Sequence, residues 1–123
     1  MSETLRPIPL VFWRSASHRE PVREWLSALP RDDKRVIGRD VAKVQFGWPV
    51  GLPLCRPLSG GLWEVRSSLP SKREARVLFG FRDETLVALH AFIKKTQKTP
   101  PDELALARER WKELQSWPRK TRT

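Results

Sequence analysis

Three consecutive stretches decide the fold: Leu62-Trp63-Glu64-Val65-Arg66, Ala75-Arg76-Val77-Leu78-Phe79-Gly80-Phe81 and Thr85-Leu86-Val87-Ala88-Leu89-His90-Ala91-Phe92-Ile93. The first two alternate with a period of two. Trp63 and Val65 fall on one side and Glu64 and Arg66 on the other; Ala75, Val77, Phe79 and Phe81 oppose Arg76, Leu78 and Gly80. The third is apolar on both sides, which predicts a central strand buried on both faces. Pro70-Ser71-Lys72-Arg73 supplies a hairpin loop, and Asp83-Glu84 a second turn. The stretch therefore reads as a three-stranded antiparallel meander.

N-terminal to the meander the period is helical. Val22, Trp25, Leu26 and Leu29 stand at i, i+3, i+4 and i+7 on one stripe, which Pro30 ends. Ser17 to Glu20 has the spacing of a capping box, and Pro21 equally suits a first helical turn. Asp32 and Asp33 favour the start of a second helix, whose stripe of Ile37, Val41 and Val44 stops at Gly47 and Pro49. Residues 51–61 read as a Pro/Gly-containing loop. Ile8 to Trp13 reads as a short first strand. Beyond the meander, Thr99-Pro100-Pro101-Asp102 reads as an N-cap, a first-turn proline and an acid, followed by a stripe of Leu104, Ala107, Trp111 and Leu114. The expected fold is α+β: a small antiparallel sheet with two N-terminal helices packed on it and a C-terminal helix. One domain over 1–117 and a basic, disordered tail over 118–123 account for the chain.

Charge narrows the function. Lys and Arg number 24 against 14 acids, a formal charge of +10 with a pI near 10.8. That excess exceeds the roughly 2–8 units that solubility requires, and it favours a polyanionic partner, nucleic acid first. The single cysteine, Cys55, excludes an internal disulfide and reads as a small buried apolar residue. No run approaches 18 apolar residues and no signal-peptide pattern opens the chain, so a cytoplasmic protein without membrane contact is expected.

Candidate chemistry lies on the meander. Arg66 and Arg76 stand on the polar sides of adjacent strands, so pairing of those strands projects both guanidinium forks from one sheet face, where they suit phosphate oxygens. The alternative is a solvated face with Glu64 as a salt-bridge partner. Lys94, Lys95 and Lys98 cluster past the last strand; each disfavours the charged form of the others, which suits a proton acceptor, while a plain lysine-rich turn is the competing reading. His90 is either a satisfied core histidine or a catalyst. His18 reads as a surface residue at a helix start. Of the six tryptophans, Trp25, Trp63 and Trp111 fall on apolar stripes; Trp13 and Trp48 lie at element ends, in the core or stacked on a base or on a protein partner. Lys98, Lys72 and Arg73 are read as RNA contacts. No Gly-rich phosphate loop, G-x-S-x-G elbow, H-E-x-x-H or zinc-spaced cluster is present, and neither a metal nor another cofactor is expected.

Taken together, residues 61–66, 75–79 and 89–100, with Pro21-Val22-Arg23-Glu24-Trp25-Leu26 and Gly47-Trp48-Pro49, resemble the phage-derived, HigB-like branch of the RelE/ParE toxin superfamily. The resemblance runs from about Leu10 to Leu114, and its most specific piece is Phe92-Ile93-Lys94-Lys95-Thr96-Gln97-Lys98-Thr99-Pro100. It implies the toxin of a type II toxin–antitoxin system, a ribosome-dependent endonuclease that cuts messenger RNA without a metal. Basic residues of relatives map onto Arg66, Arg76, Lys94, Lys95 and Lys98, with Arg76 and Lys95 matching the phosphate-contacting positions best. Some relatives use a tyrosine near the C-terminus. This chain has none, which leaves Lys94, Lys95 or His90 as the general acid or base.

The resemblance also implies a helix-turn-helix antitoxin that binds operator DNA jointly with the toxin. The charged outer helix faces, with Arg23 and Glu24 on one and Arg35, Arg39 and Lys43 on the other, suit an acidic partner. A gyrase-inhibiting toxin of the ParE kind and a non-catalytic nucleic-acid-binding protein remain as alternatives. The Arg66/Arg76/Lys95 set favours the enzyme.

Overall fold

The computed structural model describes residues 6–95 and 99–116. The expected tail over 118–123 and Lys98 lie outside the described residues. In chain order the elements are β1 (Leu10–Phe12), α1 (Pro21–Ser27), α2 (Arg31–Gly47), β2 (Cys55–Pro57), β3 (Leu62–Ser68), β4 (Glu74–Arg82), β5 (Thr85–Lys94) and α3 (Pro101–Gln115), with one turn of 3-10 helix at Ser59–Gly61.

The strands form one five-stranded sheet in the order β1-β5-β4-β3-β2. The α+β class holds, with one correction: the sheet is mixed. β1 runs parallel to β5, pairing Leu10 with Leu86 and Phe12 with Ala88. A parallel partner must return through a long crossover, and here residues 13–84 separate the two strands. No local pattern encodes that orientation. β4 holds the centre of the sheet, and β5 lies between it and β1. β2 is a second addition, inside the segment read as a loop; three residues ending in Pro57 are too few to show a period.

Asp83 and Glu84 form the two-residue β4–β5 connection with φ of 52° and 58°. Positive φ at both central residues matches the right-handed twist of paired strands.

Each sheet face has its own core. α1 and α2 cover one face, where Val22, Ile37, Val44, Val65, Val77, Phe79 and Ala88 are buried. α3 covers part of the other with Ala107, Trp111 and Leu114 against Leu62, Leu78, Val87 and Leu89. Each large apolar side chain so buried contributes about 1.5–3 kcal/mol, which is how the seven-residue α1 holds without intrinsic helical stability. Trp111 lies so close to β4 that a Cβ on Gly80 would meet its ring carbons at 2.5–2.7 Å.

Two buried acids of α2 clamp the β3–β4 hairpin. Asp40 accepts a 2.7 Å hydrogen bond from Ser67 Oγ. Asp33 accepts one from the Ser71 amide and another from the Arg73 guanidinium, at 3.2 and 3.1 Å. Burial works against the Asp33 carboxylate, but those donors win and hold its pKa below the usual range.

Helix starts depart from the expected caps. α1 begins at Pro21 with Glu20 before it and no side-chain cap, so the proline reading holds and the capping box does not form. α3 begins at Pro101, and Thr99 gives its hydroxyl to Glu64 instead of to the helix. Trp13 and Trp48 both resolve to packing. Trp13 is buried in the α3-side core, and Trp48 makes edge contacts with Trp63 and Phe79 at 4.9 and 5.4 Å. Cys55 is buried, and burial pushes its thiol up to about 11. No described helix is long and apolar enough to cross a membrane.

Candidate functional site

The site lies on the α3 side of the sheet, beyond the part that α3 covers. Register places Arg66 directly opposite Arg76, and Arg76 directly opposite Phe92. One row thus crosses three strands, spanning roughly 10 Å at the usual interstrand spacing. Lys94 stands beside the row, paired with Glu74. Both arginines do share the face opposite the helical hairpin, as the alternation predicts.

Their environments differ. Arg66 is half-buried and makes no ion pair with a described residue. Arg76 is 2% exposed, which corrects the reading of a solvated strand face. Its Nη1 donates to the Ala75 carbonyl at 2.9 Å and lies 3.6 Å from Glu74, and its Nε lies 4.0 Å from Glu64 Oε1. Glu64 is equally buried and accepts the Thr99 hydroxyl at 3.0 Å. Burial lowers the Arg76 pKa; Glu64 opposes that shift and the charge on Arg66 adds to it. The guanidinium remains charged at any ordinary pH. Removing Arg76 strands a buried carboxylate, so Arg76 is part of the fold as well as of the candidate site.

His90 faces this side because of a β-bulge. The β4–β5 register shifts between Leu78 and Phe79, whose partners are His90 and Ala88, leaving Leu89 without a cross-strand partner on β4. An extra residue re-aims every side chain that follows. After Val87 and Leu89, the α3-side sequence continues with His90 and Phe92 rather than Ala91 and Ile93, which pack on the hairpin side. Arg110 Nη1 donates to the Leu89 carbonyl at 2.7 Å. His90 Nε2 lies 2.9 Å from Glu103 Oε2. Burial lowers the imidazole pKa, the bond to Glu103 opposing it, and Arg110 lowers it further. Glu103 is a residue the sequence reading missed; its place in the acidic first turn of α3 is the only local signal.

The expected residues form two groups. Arg66 and Arg76 belong to the cross-strand row with Lys94 beside it, and Arg66 also lines a cleft of about 570 Å³ at the β3 edge. His90, Lys95 and Arg73 line a second hollow of about 700 Å³ along the β5 edge, with Glu103, and it meets the row at Phe92. Lys95 is exposed. Arg73 is engaged by buried Asp33, and Lys72 is exposed in the hairpin loop with φ of 65°. Among the described residues, no group of three or more His, Cys, Asp or Glu side chains is placed to hold a metal ion.

No curated protein matches the chain. A family model does match, over residues 24–112, a span that includes α2, the whole meander and most of α3. The chain belongs to the family described as phage-derived protein Gp49-like (DUF891).

Proposed function

We propose that the protein is the toxin of a type II toxin–antitoxin pair, a ribosome-dependent endonuclease that cleaves messenger RNA without a metal. The observation that carries this reading is the Arg66/Arg76 pair. Like charges directly opposite each other on neighbouring strands destabilise a sheet, and Glu64 and Glu74 compensate only Arg76. A phosphate between strand and solvent supplies the missing anion, and a guanidinium fork binds it with two hydrogen bonds.

The chemistry follows from these groups. The 2′-hydroxyl attacks the adjacent phosphorus while the P–O5′ bond breaks, leaving a 2′,3′-cyclic phosphate and a 5′-hydroxyl. Arg66, with the Arg76 charge behind it, stabilises the extra negative charge of the transition state. His90 accepts the 2′ proton: its lowered pKa keeps it neutral at pH 7, and with Nε2–H donated to Glu103, Nδ1 retains the lone pair a base needs. Lys95 returns a proton to the leaving oxygen, and Lys94 adds positive potential. A helix-turn-helix antitoxin neutralises the protein, and the pair binds operator DNA.

The test is 5′-end mapping of cellular transcripts after induced expression, with analysis of the ends produced. New cuts within translated regions, bearing 2′,3′-cyclic or 3′-phosphate and 5′-hydroxyl termini, are expected. Ends bearing 3′-hydroxyl and 5′-phosphate, or growth arrest with intact transcripts, would refute the mechanism.

A further inference from the structure

The 570 Å³ cleft at the sheet edge joins Arg66 to Arg39 and Lys43 of α2. Its volume is within the range of small-molecule sites. Its two acids are already engaged: Asp40 accepts the Ser67 hydroxyl at 2.7 Å and lies 3.8 Å from Lys43, and Glu74 lies 3.6 Å from Arg76. Arg39 and Arg66 form no ion pair with any described residue, and Arg39 and Lys43 are exposed. Two uncommitted guanidinium groups and a lysine therefore surround one concave surface that begins at the candidate site.

We infer that this cleft is a second phosphate-binding subsite, taking a backbone phosphate of the single strand whose neighbouring phosphate lies at Arg66 and Arg76. The strand would cross the β3 edge of the sheet and continue along α2. A nucleic acid fits better than a protein. Only Val36, Pro53 and Leu54 of the lining are apolar, too little for the desolvated centre of a protein interface. Arginine forks match phosphate oxygens, and backbone binding requires no base contact. Two of the three α2 cations that suit an acidic antitoxin are thereby assigned to nucleic acid. The inference rests on the proposed function only for the identity of the bound strand.

The test uses the full-length protein and a fluorescein-labelled 2′-O-methyl uridine decamer, which lacks the attacking hydroxyl and is not cut. Anisotropy titrations between 50 and 250 mM KCl compare the parent with R39Q/K43Q and with K34Q/K112Q, which removes two exposed lysines outside the cleft. For R39Q/K43Q we expect affinity to fall roughly tenfold, and the slope of log K against log salt to shrink by about 0.7, the value for one lost single-strand phosphate contact. K34Q/K112Q should change affinity by less than about threefold. Equal losses in the two variants, or a loss below about twofold in R39Q/K43Q, would overturn the subsite. A decaglutamate peptide serves as competitor. Displacement as effective as that by unlabelled decamer would show a general polyanion surface and overturn the assignment to nucleic acid. Because binding is read without cleavage, intact transcripts in the expression experiment would refute the nuclease while leaving this result standing.

Discussion

Truncating Arg76 should damage the fold, whereas truncating Arg66, its partner across the strand, should damage only function. Among the described residues, Arg76→Ala leaves Glu64, 2% exposed, with the Thr99 hydroxyl as its remaining close polar partner. Stranding one member of a buried ion pair costs about 3–5 kcal/mol. The 4.0 Å separation between Arg76 Nε and Glu64 Oε1 places this pair at the lower end, about 3 kcal/mol. For a domain of this size each kcal/mol moves the melting temperature by roughly 3–5 °C, so Arg76→Ala should melt roughly 10–15 °C below the parent. Arg66 is half-buried, pairs with no described acid and repels Arg76; Arg66→Ala should remain within about 0.5 kcal/mol of the parent. Thermal unfolding followed by circular dichroism measures both. Adding Glu64→Gln to Arg76→Ala removes the stranded charge while keeping an acceptor for Thr99, and should recover at least half of the loss. A melting temperature within about 3 °C of the parent for Arg76→Ala, or no recovery in the double variant, would refute the buried-pair account. In cells, Arg66→Ala should relieve growth arrest, because losing one transition-state donor costs about 3–4 kcal/mol, or hundreds-fold in rate. A folded Arg66→Ala protein as toxic as the parent would remove Arg66 from the phosphate site.

Gly80→Ala should lower stability by about 1–3 kcal/mol, since the new methyl overlaps the Trp111 ring and drives α3 off the sheet; urea unfolding checks it. His90 gives stability a pH dependence. Its folded-state pKa is lowered, so the unfolded chain takes up the proton first as pH falls, and stability declines from about pH 7 downward through the ordinary imidazole value near 6.5. The difference in melting temperature between pH 7.5 and 5.5 should therefore shrink in His90→Asn, and an unchanged difference would exclude His90 as its source. Cys55, buried with its thiol pushed up to about 11, should resist an aromatic disulfide reagent in the native state and react fully in denaturant; fast native labelling would contradict the packing.

The meander and the helical hairpin were legible in the sequence because both depend on local periodicity. Alternation over residues 62–66 and 75–81 names the face each side chain takes, and the i, i+3, i+4 stripes of α1 and α2 name the surface that must meet the sheet. The shared face of Arg66 and Arg76 follows from the same rule, and Asp83-Glu84 carries enough local chemistry to mark the turn. Four features came from tertiary structure alone. The parallel docking of β1 on β5 joins segments far apart in the chain. Burial of Arg76 depends on Glu64, Glu74 and the approach of Thr99, none of which alters the strand pattern. The bulge at Leu89 shifts the period by one residue and turns His90 toward Glu103, where unbroken alternation would place Leu89 and Ala91 on the α3 side. The cleft linking Arg66 to Arg39 and Lys43 forms where α2, held to the hairpin by Asp33 and Asp40, faces the β3 edge. A period reports where a side chain points relative to its own strand or helix; what it meets there is set by long-range contacts, whose partners no local pattern specifies.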